Sequence, residues 1–147
     1  MDADSVVAAL NELLTREQRS LAPRLFESTV FVSRLSVAHW RVAKSMVGAH
    51  RAHQAALTAL IDELGGVPVM RSHDVMSADL HFQDIGRVMP RLIAGQETMV
   101  AAARDVLGRV ASEPRAVESV ASILTRYETE LAALQRLLDA QAPSVAS

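Results

Sequence analysis

Apolar residues recur at helical spacing along four long segments of this 147-residue chain. The clearest segment runs from about Trp40 to Leu64, where apolar residues three and four positions apart form one stripe on a helix. It stops at Gly65-Gly66, with Pro68 just beyond, which is a strong signal for the end of a helix. Half of all residues are hydrophobic, but they include only three Phe, one Trp and one Tyr. This composition favours helices packed on helices over an aromatic-rich sandwich.

The first and fourth segments are also predicted to be helices. The first begins near Ser5 and continues toward Leu35, and we expect Pro23 to kink it because an interior proline removes a backbone hydrogen bond. The fourth opens at Ser112-Glu113-Pro114, where the residue types favour a helix N-terminus, and it ends before Pro143.

The lengths of the connections predict the topology. The third helix carries apolar residues from Ile85 to Leu107, with Gly86 and Pro90 marking either a kink or its true start, and a tight turn joins it to the fourth. The first junction lies near residues 36–40. The link from Gly65 to about Leu80 has roughly 15 residues, which could extend about 50 Å, whereas a 25-residue helix is about 37 Å long. We therefore expect two antiparallel hairpins joined by a long crossover.

Charge and residue usage exclude several classes of function. The formal charge is −2 with both signs interspersed, so we expect no binding to nucleic acid or to an anionic membrane. The chain has no cysteine, which excludes disulfides and thiolate metal sites and fits a cytoplasmic location. The acidic start lacks a secretion signal, and no apolar run approaches about 18 residues. We expect one domain over residues 1–147, with its core at about 5–140.

Each apolar stripe is interrupted by a polar residue near its middle. A buried imidazole needs a hydrogen-bonding partner or a metal ion, and polar groups at similar heights on four helices can converge in a bundle core. The spacing of the two histidines, three positions apart, places both on one helix face. The polar residues at or beside these positions are Glu17, His50, His53, Gln96, Tyr127 and Glu130.

Three segments resemble the bacterioferritin family. L10-N-E-L-L-T-R-E17 resembles the opening helix of that family, in which the matching glutamate is a terminal iron ligand. H50-R-A-H53-Q-A-A-L-T-A-L-I-D-E-L-G-G-V-P68 is similar to its second helix, including the Leu-Gly-Gly-x-Pro exit, and I123-L-T-R-Y-E-T-E130-L-A-A-L fits its last helix. The resemblance covers most of residues 6–140. It implies an all-α, ferritin-like four-helix bundle that forms homo-oligomers of two or more chains.

The chain departs from the family pattern at the residues that would hold two irons. His50 and Tyr127 occupy the two bridging positions, and neither can bridge two ions as a carboxylate does. Glu130 stands where the terminal histidine of the fourth helix is expected. Gln96 replaces the glutamate of the third helix, unless Glu97 rotates inward. We therefore expect no ordinary ferroxidase activity.

The residues that remain are typical of a mononuclear site. Glu17, His50 and His53, with Glu130 as a candidate fourth ligand, form a set of two histidines and one or two carboxylates. Such a set suits a single Fe(II), Zn(II) or Mn(II) ion. The methionine that binds haem in bacterioferritins falls at Arg51, so we expect no haem.

A metal-free interpretation remains open beside this one. His50 and His53 would then be core histidines whose hydrogen bonds are satisfied by Glu17, Glu130 and Tyr127. The protein would keep the bundle as a structural or protein-interaction scaffold. Homo-oligomerisation fits both interpretations, and the sequence specifies no enzymatic activity under either. For His39, outside this set, simple packing is the interpretation we favour.

Overall fold

The computed structural model describes residues 3–20, 37–69 and 85–141. Its described residues form helices and turns without any strand, so the predicted all-α class is confirmed. No described helix has the length and apolar character that crossing a membrane requires. The helices are α1 (Ala3–Arg19), α2 (Val37–Glu63), α3 (Ile85–Arg109) and α4 (Pro114–Gln141).

The predicted stop of α2 is confirmed by its hydrogen bonds. Gly65 has a φ of 80°, in the left-handed region that favours glycine. Its N–H donates to the carbonyl of Asp62 at 3.0 Å, and the N–H of Gly66 donates to the carbonyl of Ile61 at 2.9 Å. This pair of bonds is a Schellman motif, which satisfies carbonyls at a helix end. The start of α2 lies at Val37, slightly before the predicted position.

The described part of α1 ends at Arg19. The hydroxyl of Ser20 donates to the carbonyl of Glu17 at 2.9 Å, which satisfies a carbonyl in the last turn. The predicted continuation toward Leu35, with its kink at Pro23, lies outside the described residues.

The structure shows where α3 and α4 begin, and the predicted start of α4 is confirmed. α3 begins at Ile85, one residue before Gly86, so Gly86 lies at its start, whereas Pro90 lies inside the helix. α4 begins at Pro114, and the N–H of Val117 donates to the carbonyl of Glu113 at 3.0 Å. Proline fits the first helical position because its missing N–H would have no helical partner there. The predicted end of α4 falls beyond the described residues.

Contacts between helices define their neighbours. α1 and α4 each pack against both α2 and α3. α1 runs antiparallel to α2, because Asn11 donates to the carbonyl of Val67 at 3.1 Å, beyond the end of α2, whereas Glu17 contacts His50 in its middle. α3 and α4 are joined by the short turn at 110–113 and pack as antiparallel neighbours.

Two clusters of buried apolar side chains form the described core. The larger cluster contains Leu13 of α1, Leu57 of α2 and Val106 of α3. The smaller one contains Met46 of α2, Leu92 of α3 and Leu134 of α4. On α2, α3 and α4 the polar residues named above fall where one cluster gives way to the other, and Tyr127 also belongs to the larger cluster. On α1, Glu17 follows the residues of the larger cluster. We call these polar residues the polar layer, which consists of Glu17, His50, His53, Gln96, Tyr127 and Glu130.

Candidate metal centre

The polar layer is removed from solvent. Glu17 and Tyr127 have no exposed surface, and His50 is 1% exposed. His53 is the least buried member, with 12% of its side chain exposed. Buried polar groups need partners, because removing them from water without a new hydrogen bond costs about 1–3 kcal/mol each in proteins. The polar atoms of the layer that have no hydrogen-bond partner are therefore the ones that a ligand could bind.

Glu17 holds both histidines. Its Oε2 contacts Nδ1 of His50, and its Oε1 lies 3.2 Å from Nδ1 of His53. A carboxylate without a proton only accepts hydrogen bonds, so beside such a group the Nδ1 atom of each ring is the donor. This geometry leaves the Nε2 atom of each ring for another partner. The prediction that these three side chains lie together on facing helices is confirmed by these contacts.

The surroundings raise the pKa of His50 above its usual value. Burial by itself lowers that pKa, because it disfavours the imidazolium ion. The hydrogen bond to Glu17 and the negative charges of Glu17 and Glu130 act in the opposite direction, and together they outweigh burial. The imidazole of His50 therefore holds a proton more tightly than an exposed histidine.

Glu130 brings a second buried carboxyl group to the layer from α4. Burial raises its pKa, while the positive charges of His50, Arg126 and His53 partly offset that effect. Its Oε1 lies 3.7 Å from Nε of Arg126, one helical turn earlier. Within the described residues, neither carboxyl oxygen of Glu130 has a hydrogen-bond partner.

Tyr127 packs against both histidine rings. Its ring centroid lies 6.2 Å from that of His50 and 5.4 Å from that of His53. Gln96 supports this tyrosine from α3 by donating from Nε2 to its backbone carbonyl at 3.1 Å. Glu97, the alternative carboxylate of α3, is exposed. Gln96 therefore occupies the α3 position in the layer, as the sequence pattern indicated, and the alternative with Glu97 rotated inward is not seen.

Several buried polar atoms of the layer have no hydrogen-bond partner among the described residues. They are Nε2 of His50, the hydroxyl of Tyr127 and both carboxyl oxygens of Glu130. In residues 3–20, 37–69 and 85–141, no three His, Asp or Glu side chains are arranged so that they could hold a metal ion. The layer thus contains donor atoms without partners, but these are not gathered around one point.

Two features of the region were not predicted from the sequence. Arg126 approaches Glu130 as an i,i+4 pair on α4, a spacing that could have been recognised because such residues are neighbours on a helix. His39 is buried, and neither ring nitrogen has a partner within the described part of the chain. Its burial agrees with the packing favoured from the sequence, whereas the lack of partners for its ring nitrogens was not predicted.

Comparison of this chain with protein-family models, with curated proteins and with solved structures found no match. The resemblance to bacterioferritins therefore stays a prediction from the sequence motifs.

Proposed function

We propose that this protein is a ferritin-like bundle whose polar layer binds one divalent cation, such as Fe(II) or another first-row metal. The observation that carries the proposal is the set of unpaired buried donor atoms on His50, Tyr127 and Glu130. Buried polar atoms without a hydrogen-bond partner are rare in proteins, and each calls for a physical partner.

The hydrogen bonds of Glu17 support specific roles for these residues. Metal-binding histidines commonly donate from one ring nitrogen to a carboxylate, which fixes the tautomer and frees the other nitrogen for the metal. Glu17 accepts from Nδ1 of both His50 and His53 in this manner. In the proposed site, the two imidazoles and the carboxylate of Glu130 would have to move toward one point to hold the cation, because the described His, Asp and Glu side chains do not gather there in this structure. Glu17 would orient the two rings.

Charge balance also supports a cation in this layer. Glu17 and Glu130 bring two carboxyl groups into the core, and burying an uncompensated charge costs several kcal/mol in proteins. Without metal, protons on Glu130 and on His50 reduce the negative charge, consistent with the raised pKa of each group. A bound cation would supply that compensation and polarise any ligand oxygen beside it.

The donor set does not fit a di-iron centre. His50 and Tyr127 stand where the family pattern has bridging carboxylates, and neither offers two oxygens to two ions. Gln96 is committed to the backbone carbonyl of Tyr127. The proposal is therefore limited to a single ion and includes no ferroxidase reaction and no haem.

The ferritin-like topology is part of the same proposal. The antiparallel pairs α1–α2 and α3–α4, and the packing of α1 and α4 against both α2 and α3, support two hairpins joined by a crossover. Most of that crossover, residues 70–84, lies outside the described residues. Homo-oligomerisation and a cytoplasmic location stay predictions.

A metal-free scaffold is the second candidate function. Two observations favour it: Glu17 already contacts Nδ1 of both histidines, and the described His, Asp and Glu side chains do not gather around one point. In that case the layer serves as a structural hydrogen-bonded cluster and the bundle acts through its outer surface. The two candidates differ in whether the purified protein contains metal.

Elemental analysis of protein made without a histidine tag separates the candidates. Wild-type protein, isolated or loaded anaerobically with Fe(II), should contain about one metal ion per chain, and His53→Ala should lose it. His39→Ala is the matched control, because His39 lies on the same helix outside the polar layer. Circular dichroism should show that both variants stay folded. Wild-type protein without metal after loading would contradict the cation site and leave the scaffold.

A further inference from the structure

A cavity of about 680 Å³ opens between α1, α2 and α3 beside the polar layer. Its volume falls within the range of pockets that hold small organic ligands, about 300–1,000 Å³. His50 and Gln96 contribute to its wall, so the cavity borders the layer. The smaller apolar cluster supplies Met46 and Leu92 to the lining, and the larger cluster supplies Met99.

The charged residues of the cavity are mostly arginines. Arg16 and Arg19 line it from α1, and Arg91 lines it from α3. Among the described lining residues, Glu12 is the only acid, and its carboxylate is bound by both terminal nitrogens of Arg109. The lining therefore carries a surplus of positive charge beside an apolar wall.

Two of these arginines have guanidinium groups without a hydrogen-bond partner among the described residues, although the charge of Arg16 also acts on the Glu12 carboxylate. Within the described residues, neither Arg16 nor Arg19 forms a hydrogen bond or an ion pair, and both are exposed. A guanidinium presents up to five donors in a planar fork that matches a carboxylate or a similar oxyanion. The apolar wall and the two guanidinium groups are together complementary to an amphiphilic molecule with an acidic group.

We propose that this cavity binds a small organic anion, with its acidic group at Arg16 and Arg19 and its apolar body against Met46, Leu92 and Met99. The inference goes beyond the cation site and does not rest on it, because the arginines and the apolar wall are present in the chain itself. The chemistry of the cavity selects an acid with an apolar chain over a neutral molecule of the same size.

Octanoate and 1-octanol provide a direct test of this selectivity. Isothermal titration calorimetry on the full chain, in buffer with a chelator, should show that octanoate binds and that the alcohol binds at least about tenfold more weakly. That factor is the ratio expected for one charge-assisted hydrogen bond. Equal binding of the two compounds, or no binding of octanoate at millimolar concentration, would overturn the proposal.

Two pairs of variants locate the binding. The double variant Arg16→Gln/Arg19→Gln should bind octanoate at least about tenfold more weakly than wild-type protein. The double variant Arg41→Gln/Arg51→Gln removes the same charge from exposed positions on α2 and should change the affinity for octanoate little. Gly95 lines the cavity, and a Cβ there would meet nothing within 4 Å. Gly95→Leu should therefore occupy part of the cavity and weaken octanoate binding, with room for its Cβ.

Gly48→Leu is the matched control for Gly95→Leu. Gly48 is an exposed helical glycine on α2, and a Cβ there also meets nothing within 4 Å. Octanoate affinity that is weakened equally in both leucine variants, or that is unchanged in Gly95→Leu, would place the ligand elsewhere and contradict the inference.

Discussion

At the scale of single residues, Glu17 organises the polar layer because both of its oxygens accept hydrogen bonds from histidines. No other described residue contacts both rings in this way. The side chain has no exposed surface, so water cannot replace a missing bond. Its identity should therefore determine stability as well as cation binding.

Glu17→Gln should lower the free energy of unfolding by about 2–4 kcal/mol, because one amide cannot accept hydrogen bonds from both imidazoles through two oxygens. Urea denaturation at neutral pH measures the loss. Glu12→Gln is the control on the same helix: its carboxylate is 57% exposed, and losing the pair with Arg109 should cost less than about 1 kcal/mol. Similar losses in both variants would contradict the organising role of Glu17.

The raised pKa of His50 makes stability depend on pH. A histidine whose pKa is higher in the folded state stabilises the fold fully below its usual value of 6.5. That contribution is lost as the pH rises through the folded-state pKa. The pKa of Glu130 is raised too, so this group also makes the folded state less stable as the pH rises above its usual value of 4.5.

We expect the stability advantage of wild-type protein over His50→Gln to be larger at pH 6 than at pH 9. The groups facing His50 are Glu17, His53 and Glu130, with Arg126 beside Glu130. Urea denaturation across this range, with a chelator present, gives the comparison. An advantage that grows with pH would show that burial, and not the carboxylates, determines the pKa of His50.

At the scale of elements, the end of α2 sets how closely α1 approaches. A Cβ on Gly66 would lie 2.5 Å from Cγ1 of Val7 on α1 and 3.1 Å from Cγ2 of Ile61. Valine is stiff about its first side-chain torsion, so it cannot move aside freely. The glycine therefore permits the packing of the two helices as well as the helix stop.

Gly66→Ala should destabilise the protein by about 1–3 kcal/mol through this overlap. In a double-mutant cycle with Val7→Ala, the cost of adding the methyl group should fall when Val7 is already truncated. Gly48→Ala on the same helix meets nothing within 4 Å and should stabilise by about 0.5–1 kcal/mol. Additive effects of Gly66→Ala and Val7→Ala would show that the two residues do not touch.

The sequence predicted the elements better than it predicted their chemistry. The helices followed from apolar periodicity, and the α2 stop followed from Gly65-Gly66, because both depend on local residue types. Proximity of Glu17 to the two histidines could also be predicted, since polar positions on facing stripes meet in a bundle. The ring nitrogen used by each histidine could not, because it depends on side-chain torsions and on the distance between helices.

At the scale of the whole molecule, the polar layer lies where the two buried apolar clusters meet along α2, α3 and α4. Replacing buried charged groups with well-packed apolar residues is often neutral or stabilising. A need for stability is therefore a weak explanation of why these polar residues are buried. A bound ligand explains more directly why several of their atoms lack a hydrogen-bond partner. A ligand that binds only the folded state would also stabilise it, by about 2.7 kcal/mol at one hundred times its dissociation constant.

A titration of metal-free protein with Co(II), followed by visible absorption, tests the cation site most directly. Histidine and carboxylate ligands bind Co(II) as they bind other first-row divalent ions. If each polar layer binds one cation, the ligand-field absorption bands of bound Co(II) should saturate at one equivalent per chain. These bands should be absent in His53→Ala. Wild-type protein without such bands, or with bands that saturate at two equivalents, would contradict a single cation site in the polar layer.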